Sequence, residues 1–496
     1  MTQTFISRVQ YLLFNPDRRV AGAALAGLLL GAAALAALAV AILGPLLAIA
    51  AGLGALAAYL ALRSPRWGLT FVILVVALLP FAVFPFRIGF KPTFLDAALA
   101  AFVFVWAVGL LTGRQRRFVG SPMGMAVAVF LFLAIFAFAL GAANGRPSVT
   151  TIRRFAEIAL GILLFFVVIN TVRQQEDLEW VGRALMLAGA GAALIAVVLY
   201  VIPEEWTVRL FNALTRFEYP GGYGALRYVE DDSENAMRAI GTAIDPNVLG
   251  GMMILFAALL APQLFAPRPL FRRWLVALMF GVTVLCLYLT YSRSALLGLA
   301  TAIAFVALLR YRKLLVVGAL GVLLLLLLPQ AQEYVARFVA GIQGQDLATQ
   351  MRFGEYRDAL RLIGRYPVFG VGFSGVPDID LYLGVSSTYL LMAENMGVVG
   401  LLAFLLAMAI FFVMVLRSVR AGIVDDRREA LLLGLSGALA GVLVSGVLDH
   451  YLFNLAYPHM VSLFWIYVGL AVATILLERA EREAGGVNRC AATAPR

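Results

Sequence analysis

Apolar runs long enough to cross the ~30 Å hydrocarbon core of a bilayer recur along this chain, and they constrain its fold more than anything else in it. They lie near residues 20–43, 46–62, 69–86, 95–111, 123–143, 155–172, 184–202, 248–265, 274–291, 295–309, 314–328, 388–416, 430–448 and 460–477. The chain is 62% hydrophobic and only 14% charged, against roughly 25% charged residues in soluble domains. No polar stretch is long enough to make a soluble domain of its own. The expected fold is all-α: a polytopic transmembrane helix bundle of about 12–14 spans. The Gly44-Pro45 break admits a hairpin within the membrane instead of two full spans, and the first apolar stretch is too long for a cleavable signal peptide.

Arginine placement sets the expected orientation. With the N-terminus inside, the short inner connections hold 17 basic residues: Arg63, Arg66, Arg114, Arg116, Arg117, Arg173, Arg183, Arg268, Arg272, Arg273, Arg310, Arg312, Lys313, Arg417, Arg420, Arg427 and Arg428. The short outer connections hold 6: Arg87, Lys91, Arg146, Arg153, Arg154 and Arg293. Cytoplasmic loops carry this bias. The expected organisation is a cytoplasmic segment 1–19, an N-terminal bundle 20–202, a large outer loop 203–247, helices 248–328, a second large outer loop 329–387, helices 388–477 and a cytoplasmic tail 478–496. Within the second loop, Tyr334, Phe338, Met351, Tyr356, Leu360 and Ile363 stand at helical spacing, which predicts amphipathic helices over the membrane surface or a cavity.

The net charge of +11 is almost all arginine, since Lys91 and Lys313 are the only lysines. Arginine presents a rigid fork of donors that matches phosphate oxygens. The inner arginines are explained by orientation alone. On the outer face, Arg293 lies between two apolar spans, either snorkelling at a helix end or serving a solvated functional cavity. Arg238 opens a run to Asp245-Pro246-Asn247, where Asp245 can cap a helix and Pro246 fits its first turn. Arg352 precedes Arg357 and Arg361, which are i, i+4 neighbours on a helix. A Pro367-x-x-Gly370-x-Gly372 turn follows. Glu394 falls nearly two turns inside the next span, as a functional carboxylate or an ion-pair partner.

In order and spacing these elements resemble the O-antigen ligase and O-antigen polymerase superfamily of bacterial surface-polysaccharide enzymes. The resemblance rests on Arg238-x-x-Gly-Thr through Pro246-Asn247, the Ser292-Arg-Ser-Ala295 element, and the Arg352 to Gly372 helix and turn. It continues in the Tyr389 to Gly400 helix, which has one extra residue before Gly397. It covers the chain from about Arg238 onward. It implies a glycosyltransferase at the outer face of the bacterial cell (inner) membrane, with both termini cytoplasmic. Such an enzyme moves a glycan from a polyprenyl diphosphate carrier to a glycan or glycolipid acceptor hydroxyl, without metal or other cofactor. The donor diphosphate would be held by outer arginines, with Arg238, Arg293, Arg352, Arg357 and Arg361 as candidates. The expected partners are those two substrates and the lipid bilayer, and no nucleic acid.

One departure bears on mechanism. Ligases of this superfamily begin the Tyr-Leu helix with a histidine that assists the acceptor, and Ser386 stands at that position here. Serine is a poor general base at neutral pH. The two histidines of the chain, His450 and His459, both lie in the last outer loop, with Asp449 placed to tune His450. They either substitute for the missing histidine, or sit in an interfacial aromatic belt with Tyr451, Phe453 and Tyr457. The catalytic candidates are His450, Asp449 and Glu394, with His459 and Asp245 as further bases. Ligase and polymerase activities both stay open, and a flippase of lipid-linked sugars or a non-catalytic assembly protein are the alternative classes.

Overall fold

A computed structural model describes residues 17–44, 63–87, 89–113, 118–327, 347–373 and 385–492, with Leu62 left out and single positions between 11 and 61 and at 343. Tyr334, Phe338, Arg337 and the Arg114–Arg117 cluster lie outside the described residues. Two units are separable, residues 1–64 and 65–496. In the first, α1 (Arg18–Leu43) starts at Asp17, whose carboxylate accepts the Arg19 N–H at 2.9 Å, and ends at Gly44 with φ 78°. A positive φ costs glycine nothing and other residues ~1–2 kcal/mol.

The second unit is a helix bundle: α2 (Pro65–Leu78), α3 (Phe94–Leu111), α4 (Gly124–Asn144), α5 (Val149–Thr171), α6 (Gln175–Val201), the short α7 (Glu204–Leu214), α8 (Pro246–Gln263), α9 (Arg273–Leu289), α10 (Arg293–Leu309), α11 (Lys313–Leu327), α12 (Leu347–Arg365), α13 (Thr388–Ala421), α14 (Asp426–Ser445) and α15 (Pro458–Ala492). Among the described residues seven helices are long and apolar enough to cross a membrane, and no strand is present beyond two isolated bridges. The chain is a polytopic membrane helix bundle.

Helices α8, α14 and α15 are buried on almost all sides and form its centre. A helix apolar all round belongs in such a place. Glycines let the backbones meet there. A Cβ on Gly298 of α10 would stand 2.9 Å from the Gly441 carbonyl oxygen of α14, and one on Gly441 would stand 2.4 Å from that of Gly298. In lipid, where apolar contact alone gives helices little reason to associate, such close approach supplies the packing.

Among the described residues of this unit, polar contacts gather the connections at two ends of the bundle. At one end Arg66 pairs with Asp177 at 3.7 Å, Arg427 with Glu179 at 2.9 Å and Arg310 with Glu429 at 3.3 Å. Arg428, buried there, pairs with Glu478 at 3.3 Å and with Glu481. At the other end the first large loop meets the α2–α3 connection through the Val83 N–H and the Phe217 carbonyl at 3.0 Å. The same loop supplies Glu218, the ion-pair partner of Lys91.

Candidate functional site

The site is built where four connections converge at that second end. The first is the start of α8. Asp245 is its N-cap, accepting the Asn247 and Val248 N–H groups at 2.8 and 3.0 Å, with Pro246 in the first turn. The second is the turn from α9 to α10, where Tyr291 takes φ 54° and Ser292 caps α10 by accepting the Ala295 N–H at 3.4 Å. Arg293 opens α10 and is half-buried. Arg238 ties the two together. Its Nε donates to the Thr290 carbonyl and its guanidinium to the Asn247 side-chain oxygen, each at 2.8 Å.

The third connection is the α14–α15 loop, carrying Asp449. This carboxylate is 2% exposed and accepts the Ser294 hydroxyl; Ser294 in turn lies 3.0 Å from the Ser292 hydroxyl. Burial pushes the Asp449 pKa above its ordinary 3.8, against the opposing pull of Arg352, of the Ser294 hydrogen bond and of His450, while Asp245 adds to the rise. The fourth is the start of α13. Thr388 donates its N–H to the Gly446 carbonyl at 2.8 Å and its hydroxyl to the Asp449 carbonyl at 2.9 Å. Helix α12 fastens the last two. Glu355 accepts the Ser386 N–H at 2.9 Å, and the Tyr356 hydroxyl lies 3.1 Å from the Ser386 carbonyl and 3.2 Å from that of Val447.

A cavity of about 910 Å3 opens beside Asp245, Asn247 and Arg238, with Arg227, Tyr228 and Glu204 on its far walls. Tyr457 neighbours Asp245, and its ionisation is pushed far up by burial and by the charges of Asp245 and Asp449. The half-buried His450 lies with its ring centroid 6.1 Å from that of Tyr457, and its Nδ1 has no hydrogen-bond partner among the described residues. Arg227 and Arg238 present anion-binding donors to this cavity, beside the carboxylates of Glu204, Asp231 and Asp245. An imidazole with an open nitrogen beside a carboxylate suits proton transfer.

The sequence candidates separate clearly. Arg238, Arg293, Arg352, Ser386, Asp449 and His450 belong to the four converging connections and the helix that fastens them. Arg357 and Arg361 do not. Both are exposed on the opposite face of α12, and Arg361 pairs with Asp358 at 3.1 Å. The inward face of that helix carries Arg352, Glu355, Tyr356, Ala359 and Leu362, whereas Met351 and Leu360, expected on the apolar face, are 52% and 59% exposed. The helix packs inward through Ala359 and Leu362 together with the polar contacts of Glu355 and Tyr356, so only part of its apolar spacing marks the packed side. His459 is fully buried among rings, 5.0 Å from Phe81 and 6.3 Å from Tyr457 between centroids.

Glu394 is buried at a break in α13. Gly397 there takes φ 67°, and the Pro367–Gly372 turn docks into the opening. The Val371 N–H donates to the Glu394 carbonyl at 2.8 Å, that of Gly372 to Asn395 at 3.0 Å, and that of Val398 to Pro367 at 2.8 Å. Glu355 and Tyr457 escaped the sequence reading. Tyr457 stood in the aromatic loop beside both histidines, but nothing in the spacing paired it with Asp245.

Residues 274–405 match the family model Wzy_C, described as O-antigen ligase. That stretch of the chain is similar to O-antigen ligases. It runs from α9 into α13 and so contains Ser292, Arg293, Ser294, Arg352, Ser386 and the break at Gly397. Arg238 and the Asp449–His459 loop lie outside it and reach the matched segment through Thr290, Ser294 and Thr388. The match supports the O-antigen ligase and polymerase superfamily and, with it, a membrane glycosyltransferase. No curated protein matches the chain.

Proposed function

We propose that this protein transfers a glycan from a polyprenyl diphosphate carrier to an acceptor hydroxyl at the outer face of the bacterial inner membrane, both termini being cytoplasmic. The observation that carries this reading is the convergence of Arg238, Arg293 and Arg352 with the Asp449–His450 pair around the start of α8. As the glycosyl bond breaks, negative charge develops on the leaving diphosphate. Arg238 and Arg293, set at two adjoining helix starts, hold that charge without a metal ion. Arg352 acts from α12 on the same region, next to Asp449.

His450 takes the place of the absent family histidine and accepts the proton of the attacking hydroxyl. Asp449, enclosed and held by Ser294, does not touch the acceptor; it stabilises the imidazolium that forms. Direct attack by the acceptor inverts the anomeric centre. Glu394 holds the α13 break and takes no part in proton transfer. The test is a transfer assay on reconstituted protein with a polyprenyl diphosphate glycan donor, EDTA present throughout, comparing wild type with Arg293→Ala. Donor consumption with a lengthened or newly attached glycan, lost in the variant, is expected. Donor relocation across the bilayer with no new glycosidic bond would replace the transferase with a flippase.

A further inference from the structure

We infer that a second anion site, separate from the Arg238 cavity, lies between the start of α5 and the α2–α3 connection, and that it holds phosphate or carboxylate groups of the glycan acceptor. This rests on the transferase reading above and names the chemistry of its second substrate. The site is a cavity of about 490 Å3, within the range of small-molecule pockets. Four cations line it: Arg87, Lys91, Arg153 and Arg154, against two carboxylates, Glu157 and Glu218.

The pairing inside the cavity decides which charges are available. Arg153 is committed, at 3.0 Å to Asp96 and 3.1 Å to Glu157, and Glu157 also accepts the Thr93 hydroxyl at 2.7 Å. Lys91 is committed to Glu218. Arg87 and Arg154 enter no ion pair among the described residues. Two arginine forks facing one polar cavity, with every carboxylate of its lining already engaged, match an oxyanion brought by a ligand.

Position ties this cavity to the reaction. Ile244, next to Asp245, lines it, and so do Ala456 and Pro458, on either side of Tyr457. Asp245 lines the first cavity, so the Ile244–Asp245 step stands between the two, and His450 packs against Tyr457. A donor diphosphate held by Arg238 on one side and an acidic acceptor anchored by Arg87 and Arg154 on the other would meet at the proposed base.

The test is calorimetric titration of inorganic pyrophosphate into full-length protein in neutral detergent, which needs no turnover. Two binding events are expected. Arg87→Gln/Arg154→Gln should weaken one at least about tenfold and leave the other, while Arg238→Gln does the reverse. Arg87→Lys/Arg154→Lys, which keeps the charge, should restore most of the loss and control for folding. An unchanged isotherm in the double glutamine variant overturns the site. Repeating the titration in nanodiscs with and without phosphatidylglycerol separates the sources. If that lipid abolishes the second event and co-purifies with wild type but not with the double variant, the cavity holds a lipid headgroup and the acceptor assignment falls. In the transfer assay, the double variant should raise the KM for a phosphorylated acceptor and leave the donor KM unchanged. Two pyrophosphate events without any turnover would overturn the transferase while the second site stands.

Discussion

Ser294 donates its hydroxyl to the carboxylate of Asp449, a residue 155 positions further along the chain and 2% exposed. The bond joins the segment that resembles O-antigen ligases to the loop that carries the proposed base.

Removing it with Ser294→Ala takes away a donor that favours the charged carboxylate, so the Asp449 pKa, already raised by burial, rises further. The acid limb of the pH–rate profile should move to higher pH, measured as kcat/KM against pH.

Asp449 should also leave its mark on stability. Its folded pKa lies above the ordinary 3.8, so it contributes stability that is fully present below that value and lost as pH rises through the folded pKa. Asp449→Asn should therefore melt no lower than wild type at pH 8, and any gain should shrink as the pH is lowered toward 4. At the same time the variant should lose ~100-fold or more in transfer rate, if proton transfer contributes at its usual size. Thermal melts of the detergent-solubilised pair across pH check the first, and the transfer assay the second.

Arginines of one helix should differ by the face they occupy. Arg352→Gln should raise the donor KM about tenfold or more, whereas Arg361→Gln, on an exposed side chain paired within its own helix, should stay within a factor of about two. Equal effects of the two would contradict the orientation of α12.

At the α13 break, Gly397→Ala forces a positive φ on a side-chain residue, which costs ~1–2 kcal/mol, and sets a Cβ 2.0 Å from the Val368 carbonyl oxygen. The variant should melt well below wild type. Gly364→Ala, on an exposed turn of α12 with nothing within 4 Å, should be neutral or slightly stabilising.

Local chemistry was readable in the sequence, and long-range pairing was not. Asp245-Pro246-Asn247 announced a capped helix start because a cap needs only its own next three residues. The apolar runs announced the membrane helices for the same reason. Arg357 and Arg361 share a face, as their spacing requires, but spacing fixes the phase of a helix and not its partner. The packed side of α12 turned out to be the one bearing Arg352, Glu355 and Tyr356. The break at Gly397 hides inside an apolar run. The pairings Ser294–Asp449 and Asp245–Tyr457 depend on how distant helices pack, and no local pattern encodes them.

The most direct test of the account is the release of free polyprenyl diphosphate from a lipid-linked glycan donor, followed by mass spectrometry in the presence of EDTA and acceptor, with wild type, His450→Gln and Arg238→Gln compared. The account predicts release coupled one-to-one to glycan transfer in wild type, and a fall of ~100-fold or more in each variant with the fold intact. Release that survives unchanged in both variants would place the chemistry elsewhere in the chain and contradict it.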